Sequence, residues 1–111
     1  MSSILNDVKH HLGLLPEDTH YDLDITNFVN GVFGTLNQLG VGPADGFFIE
    51  DDDAEWDEFF TDPRLNAVMS YVFLRVKLQF DPPDRSFMIE SIERQITEME
   101  FRLNLVAEHG G

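Results

Sequence analysis

A mainly α-helical fold, a small bundle of about four helices with an acidic loop insertion between the second and third, is what this sequence predicts. Three observations carry the expectation. Four segments repeat their apolar residues at steps of three and four. Gly or Pro stands at the ends of those segments, where helices stop or start. Hydrophobic content of 42% with ten Phe supplies enough apolar surface to offset ordering entropy, despite a net charge of -14 that would otherwise favour a disordered chain. At 111 residues the chain fits one domain, residues 1–111, because domains run to about 100–150 residues.

Ser2 or Ser3 can cap a first helix whose apolar residues are Ile4, Leu5, Val8 and Leu12, with Gly13 placed to end it. "LLPEDTHYD" then reads as a loop around Pro16, with Leu14 and Leu15 turned inward. From Asp22 to Leu39 one stripe holds Ile25, Phe28, Val29, Val32, Phe33 and Leu36. Asp22 or Asp24 complements the helix N-terminus, and Gly40 stops it. A second face of that helix is small and polar: Asn27, Asn30, Gly31, Gly34 and Asn37. Each internal Gly costs about 1 kcal/mol relative to Ala. The face is therefore either a tolerated surface or a place where another helix or subunit approaches closely, and it is the candidate subunit interface.

"GVGPADG" is turn chemistry. It opens the loop insertion, residues 41–61, in which Phe47–Ile49 could form a short strand and Ala54–Phe60 a helical turn or two. Asp62-Pro63 is a helix start, since an Asp cap satisfies free amides and Pro at the first position loses no hydrogen bond. Beyond it Leu65, Val68, Met69, Val72 and Val76 make one apolar stripe and Tyr71, Leu74 and Leu78 a second. A helix apolar on two sides is buried on two sides, so this one is the expected centre of the fold. "DPPD" stops it at Asp81. The last helix starts near Asp84 or Ser86 and runs to Ala107 on a seam of Ile89, Ile92, Ile96, Met99, Leu103 and Val106. A short flexible tail, residues 108–111, is expected after it. Glu90–Arg94 and Glu98–Arg102 are i, i+4 pairs, each worth only about 0.2–0.5 kcal/mol. Phe101 and Leu105 fall off the seam and are free to face a second partner.

The densest chemistry is "FFIEDDDAEWDEFF". An EF-hand begun at Asp51 places Asp53 and Glu55 correctly, but Trp56 occupies the position that needs Gly and Asp62 the position of the bidentate Glu. Calcium is not expected there. His10 and His11 point about 100° apart on a helix and do not chelate as a pair. Glu17-x-x-His20 lies in a Pro-led loop rather than on facing bundle helices. No nucleophile elbow, phosphate-cradling loop or dinucleotide fingerprint occurs, and the chain has no Cys, which removes thiolate chemistry and disulfides. Neither catalysis, a metal nor a cofactor is expected. The aromatics bracketing the acids are too apolar to stay in water, so the stretch is pinned at both ends. They serve either as a lid on the core or, in part, as an anchor for a partner. Glu50, Asp51, Asp52, Asp53 and Trp56 form the candidate lumen or partner surface.

Charge is divided unevenly. Residues 1 to 62 hold 14 acids and one base, Lys9; residues 63 to 111 hold seven acids and six bases. So few bases make a phosphate-binding surface untenable, although a surface that DNA passes without adhering remains compatible. No run approaches the roughly 18 apolar residues of a spanning helix, and a soluble protein that does not enter a membrane is expected.

"DVKHHLGL", "DITNFVNGVFGTLNQLGVGP", a Trp within an acidic patch, "YVFLRVKLQFDPP" and "SFMIESIERQITEMEFRLN" together resemble the head-tail connector, or adaptor, proteins of tailed bacteriophages. The likeness runs from about Ile4 to Asn104, and "TLNQLGVGP" and "KLQFDPP" are its most specific pieces. It implies a small helical subunit, without reaction or cofactor, that assembles commonly as a twelvefold ring beneath the portal protein. Such a ring extends the DNA channel and presents a platform for a stopper or tail-completion protein. It also implies a virion location in the neck, after synthesis in the bacterial host cytoplasm. The last segment, with Phe101, Leu105 and His109, is the candidate portal contact by the same resemblance. A different class of reading is an acidic DNA mimic that inhibits a nucleic-acid enzyme. Mimics need acids at phosphate-like spacing, whereas nine of the 21 here crowd between Asp45 and Asp62.

Overall fold

Ser3 starts the first helix, α1 (Ile4–His11), by accepting a hydrogen bond from the Asn6 N–H at 3.3 Å. Gly13 ends it from a left-handed conformation, φ +81°, that only Gly adopts without strain. There the Leu14 N–H donates to the Lys9 carbonyl at 2.9 Å and the Gly13 N–H to that of His10 at 3.0 Å, a Schellman closure. The second helix, α2 (Asp22–Gln38), ends in the same way: Gly40 has φ +84°, and Val41 and Gly40 donate to the Leu36 and Asn37 carbonyls. Both stops are the ones expected from the sequence. A computed structural model describes residues 3–61 and 65–110, of which 65 and 106–110 by backbone alone.

After α2 come a single turn, α3 (Trp56–Phe59), then α4 (Leu65–Phe80) and α5 (Ser86–Gly110). Glu55 and Glu58 cap α3 reciprocally, the Glu55 N–H donating to Glu58 Oε2 at 2.7 Å. The expected start of α4 at Asp62-Pro63 lies outside the described residues. Its end is as expected: the Asp81 N–H closes on the Lys77 carbonyl at 2.8 Å, and two prolines follow. α4 packs against α1, α2 and α5, which makes it the centre of the fold. Val68, Tyr71, Val72 and Val76 on it are fully buried, opposite Ile25, Val29, Val32 and Leu36 of α2 and Ile96 and Leu103 of α5. The whole forms a slab of 40 × 36 × 20 Å.

Three local expectations are corrected. Phe47–Ile49 is not a strand; the one strand-like pairing among the described residues is an isolated bridge between Ser3 and Glu55. Ile49 has no neighbouring strand because its backbone is satisfied by the Asn30 side chain, as detailed below. Leu15 is exposed rather than tucked in; Leu14 is the half-buried one, drawn in by the Schellman bond to Lys9. The last helix does not stop at Ala107 but takes in residues 108–110 of the expected tail, since no breaker precedes Gly110.

Candidate assembly surfaces

The acidic insertion runs alongside α2 and is tied to it by two asparagines seven residues apart, two helical turns, on one face. Asn37 Nδ2 donates to the Pro43 and Ala44 carbonyls at 3.2 and 3.3 Å. Further along, Asn30 behaves as a short piece of strand: its Oδ1 accepts from the Ile49 N–H at 2.7 Å and its Nδ2 donates to the Ile49 carbonyl at 2.9 Å. These two candidate interface residues are therefore engaged within the protomer. Asn27, Gly31 and Gly34 are exposed, and a Cβ added at either Gly meets nothing within 4 Å. That face is open.

Trp56 is corrected from surface to core. It is fully buried, its Nε1–H donates to Asp7 Oδ2 at 2.8 Å, and its ring meets Phe73 edge-on at 5.7 Å. No partner can reach it. Phe59 stacks near Phe33 and Phe47, with centroids at 4.6 and 5.3 Å, and Ile49 is buried. Most of the aromatic bracket thus lids the core, and Phe48 alone of it is largely exposed. Between these anchors Glu50, Asp51, Asp52 and Asp53 stand in solvent. One carboxylate oxygen from each of the three aspartates lies within 4.8 Å of the others, the only such cluster among the described residues. Being wholly exposed and off the EF-hand spacing, it is a solvated concentration of negative charge.

On the outer side of α5, Phe101 and Leu105 are exposed; the His109 side chain lies outside the described residues. Two features escaped the sequence reading. Lys9, the only base of the anionic half, is buried with Nζ 2.9 Å from the Pro16 carbonyl and 2.8 Å from Asp22 Oδ1, the latter an ion pair outside hydrogen-bond alignment. It fastens the α1–α2 loop to the start of α2. Tyr71 bridges α4 to α5 by donating to Glu100 Oε2 at 2.6 Å while accepting from Arg75 Nη1 at 2.7 Å. Burial, and next the hydrogen bond to Glu100, push its phenol up to about 12. A lone Lys in a helical stripe and a Tyr in an apolar one give no pattern that distinguishes them from surface and core.

The described residues thus present two exposed helix faces, on α2 and α5, and one acidic loop fixed to α2. A family model described as "Phage connector protein" matches residues 4–110. The chain belongs to this family. The curated proteins and solved structures compared with it include no match. No helix of the connector is long and apolar enough to cross a membrane, among the described residues. The segment "TLNQLGVGP" now has a physical account: Asn37 holds the loop, Gly40 closes α2, Val41 is buried, and Gly42 turns the chain past Phe59.

Proposed function

We propose that this phage connector is a structural subunit of the virion neck, made in the host cytoplasm, that assembles with copies of itself into a ring of twelve. The ring sits beneath the portal, extends the DNA channel, joins capsid to tail, and offers its far side to a stopper or tail-completion protein. Membership of the connector family carries this reading. The physical support is a slab with exposed apolar residues on its helix faces and a charge of -14, which suits a wall to which passing DNA does not adhere.

In this reading Asn27, Gly31 and Gly34 contribute to the contact between subunits. Glu50 and Asp51–Asp53 face the lumen, where repeated copies repel phosphate. The end of α5 at His109 approaches the portal, which leaves the outer side of that helix at Phe101 and Leu105 to a neighbouring copy; with 25 residues against 16 in α4, α5 is the longer helix by about 14 Å. Electron microscopy of the purified chain mixed with a portal assembly tests the function. A collar of added density on the portal is expected. Portals that remain bare at saturating chain concentration overturn it.

A further inference from the structure

We infer that the outer faces of α5 and α2 are the two halves of one contact, so that α5 of each copy docks on α2 of the next. The inference rests on the self-assembly just proposed and specifies its surfaces. α5 is buried along Ile96 and Leu103 and exposed along the opposite line of Arg94, Thr97, Glu98, Phe101 and Leu105. Phe101 is 64% exposed, a large ring on a helix face that no described residue covers. α2 is buried along Ile25, Val29, Val32 and Leu36, and its outward line runs through Leu23, Asn27, Gly31 and Gly34. α4 is the shared neighbour of both helices, so the two faces look outward on different sides of the slab. One copy cannot satisfy itself.

Charge decides how copies pair. The α2 side carries Asp24 and, on the loop lashed to it, the Asp51–Asp53 cluster. A twofold contact of that side with itself would set two such clusters against each other. The α5 face carries Arg94 and Arg102 against Glu90, Glu93 and Glu98, with Arg102 paired to Glu98; having no acidic cluster, it repels an anionic neighbour far less than the α2 side would repel its own copy. The contact is therefore heterologous, the kind that propagates into rings. Shape agrees. Gly13, Gly40, Gly42 and Gly46 each occupy a positive φ, whereas Gly31 and Gly34 have neither a positive φ nor a neighbour within 4 Å of a Cβ. Nothing among the described residues asks for Gly there, and the open space leaves room for a ring from outside. One helix face on another buries less than the roughly 800 Å² per partner of a stable complex. Each contact is weak alone and is secured by closure of the assembly.

The absence of Cys makes the pairing directly measurable. Full-length Gly34→Cys and Thr97→Cys chains, both at exposed positions and the latter keeping the Phe101 ring in place, are mixed at high concentration and oxidised, with Gln79→Cys, also exposed, as the control partner. Disulfides between the two different variants should exceed those with the control by about tenfold, because held neighbours see effective concentrations in the millimolar range. The double variant should give a ladder of covalent multimers. Cross-links no stronger than the control, or found chiefly between identical variants, overturn the pairing. If portal collars still form under that result, only the surfaces are wrong; if collars fail too, the proposed function falls with them.

Discussion

Gly42 shows how one residue can hold a turn and a core together. Its φ of +90° lies in the left-handed region, and a Cβ built there would stand 2.6 Å from Phe59 Cε1. Gly42→Ala therefore combines backbone strain of about 1–2 kcal/mol with overpacking of about 1–3 kcal/mol against a ring wedged between Phe33 and Phe47. A loss of about 2–5 kcal/mol is expected, read as a lowered denaturant midpoint; an unchanged midpoint would mean that Phe59 yields freely. The sequence identifies Gly42 as part of a turn, but not the ring it faces, since Phe59 is 17 positions away. Tyr71 supplies a second test at this scale. Its phenol is raised from 10 to about 12, so folding favours the neutral form. The unfolded chain ionises first, and the stability held below pH 10 should decline as pH climbs through 12. Tyr71→Phe should lack this component, and ultraviolet absorbance of the phenolate should place the ionisation above pH 10. Titration at the ordinary tyrosine value would contradict the buried geometry.

At the level of elements, helices were readable from the sequence because each is a local pattern with local stops. The stripe of α2, its end at Gly40 and the prolines after α4 need only neighbours a few residues away. The loop was not readable in that way. Its course depends on Asn30 meeting Ile49 across 19 residues and Trp56 reaching Asp7 across 49, distances that periodicity does not span. Hence Phe47–Ile49 looked like a strand: the same apolar run suits an edge paired with a strand or, as here, one paired with a single amide side chain. The packing of the candidate subunit face was half legible for the same reason. Gly31 and Gly34 are open as their spacing suggests, but Asn30 and Asn37 on that stripe turned out to hold the loop. Asn30→Ala should free it. Two hydrogen bonds vanish and the Ile49 N–H is left part-buried without its partner, for a loss of about 1–3 kcal/mol. Hydrogen exchange should quicken at Ile49 and through the acidic segment while α2 stays protected. Uniform exchange across both would show that loop and helix unfold as one unit.

For the whole molecule the governing quantity is charge. Each copy carries -14 on a body 40 Å across. At about 0.01 M salt the screening length is about 30 Å, so nearly every acid of one copy acts on its neighbour; at about 0.15 M it falls to about 8 Å and only adjacent groups count. Attraction between Arg94 and a neighbour's Asp24 weakens over the same range, yet it is small against the net charge on both bodies. Self-association should therefore strengthen as salt rises, opposite to the behaviour of a phosphate-binding surface, whose affinity falls with salt. Replacing Asp51, Asp52 and Asp53 together by Asn removes three charges where they are densest and should flatten the dependence. Sedimentation across a salt series measures both. Dissociation on adding salt would mean that attraction between opposite charges dominates the contact, and that the acidic loop is a binding element between subunits and not the wall of a channel.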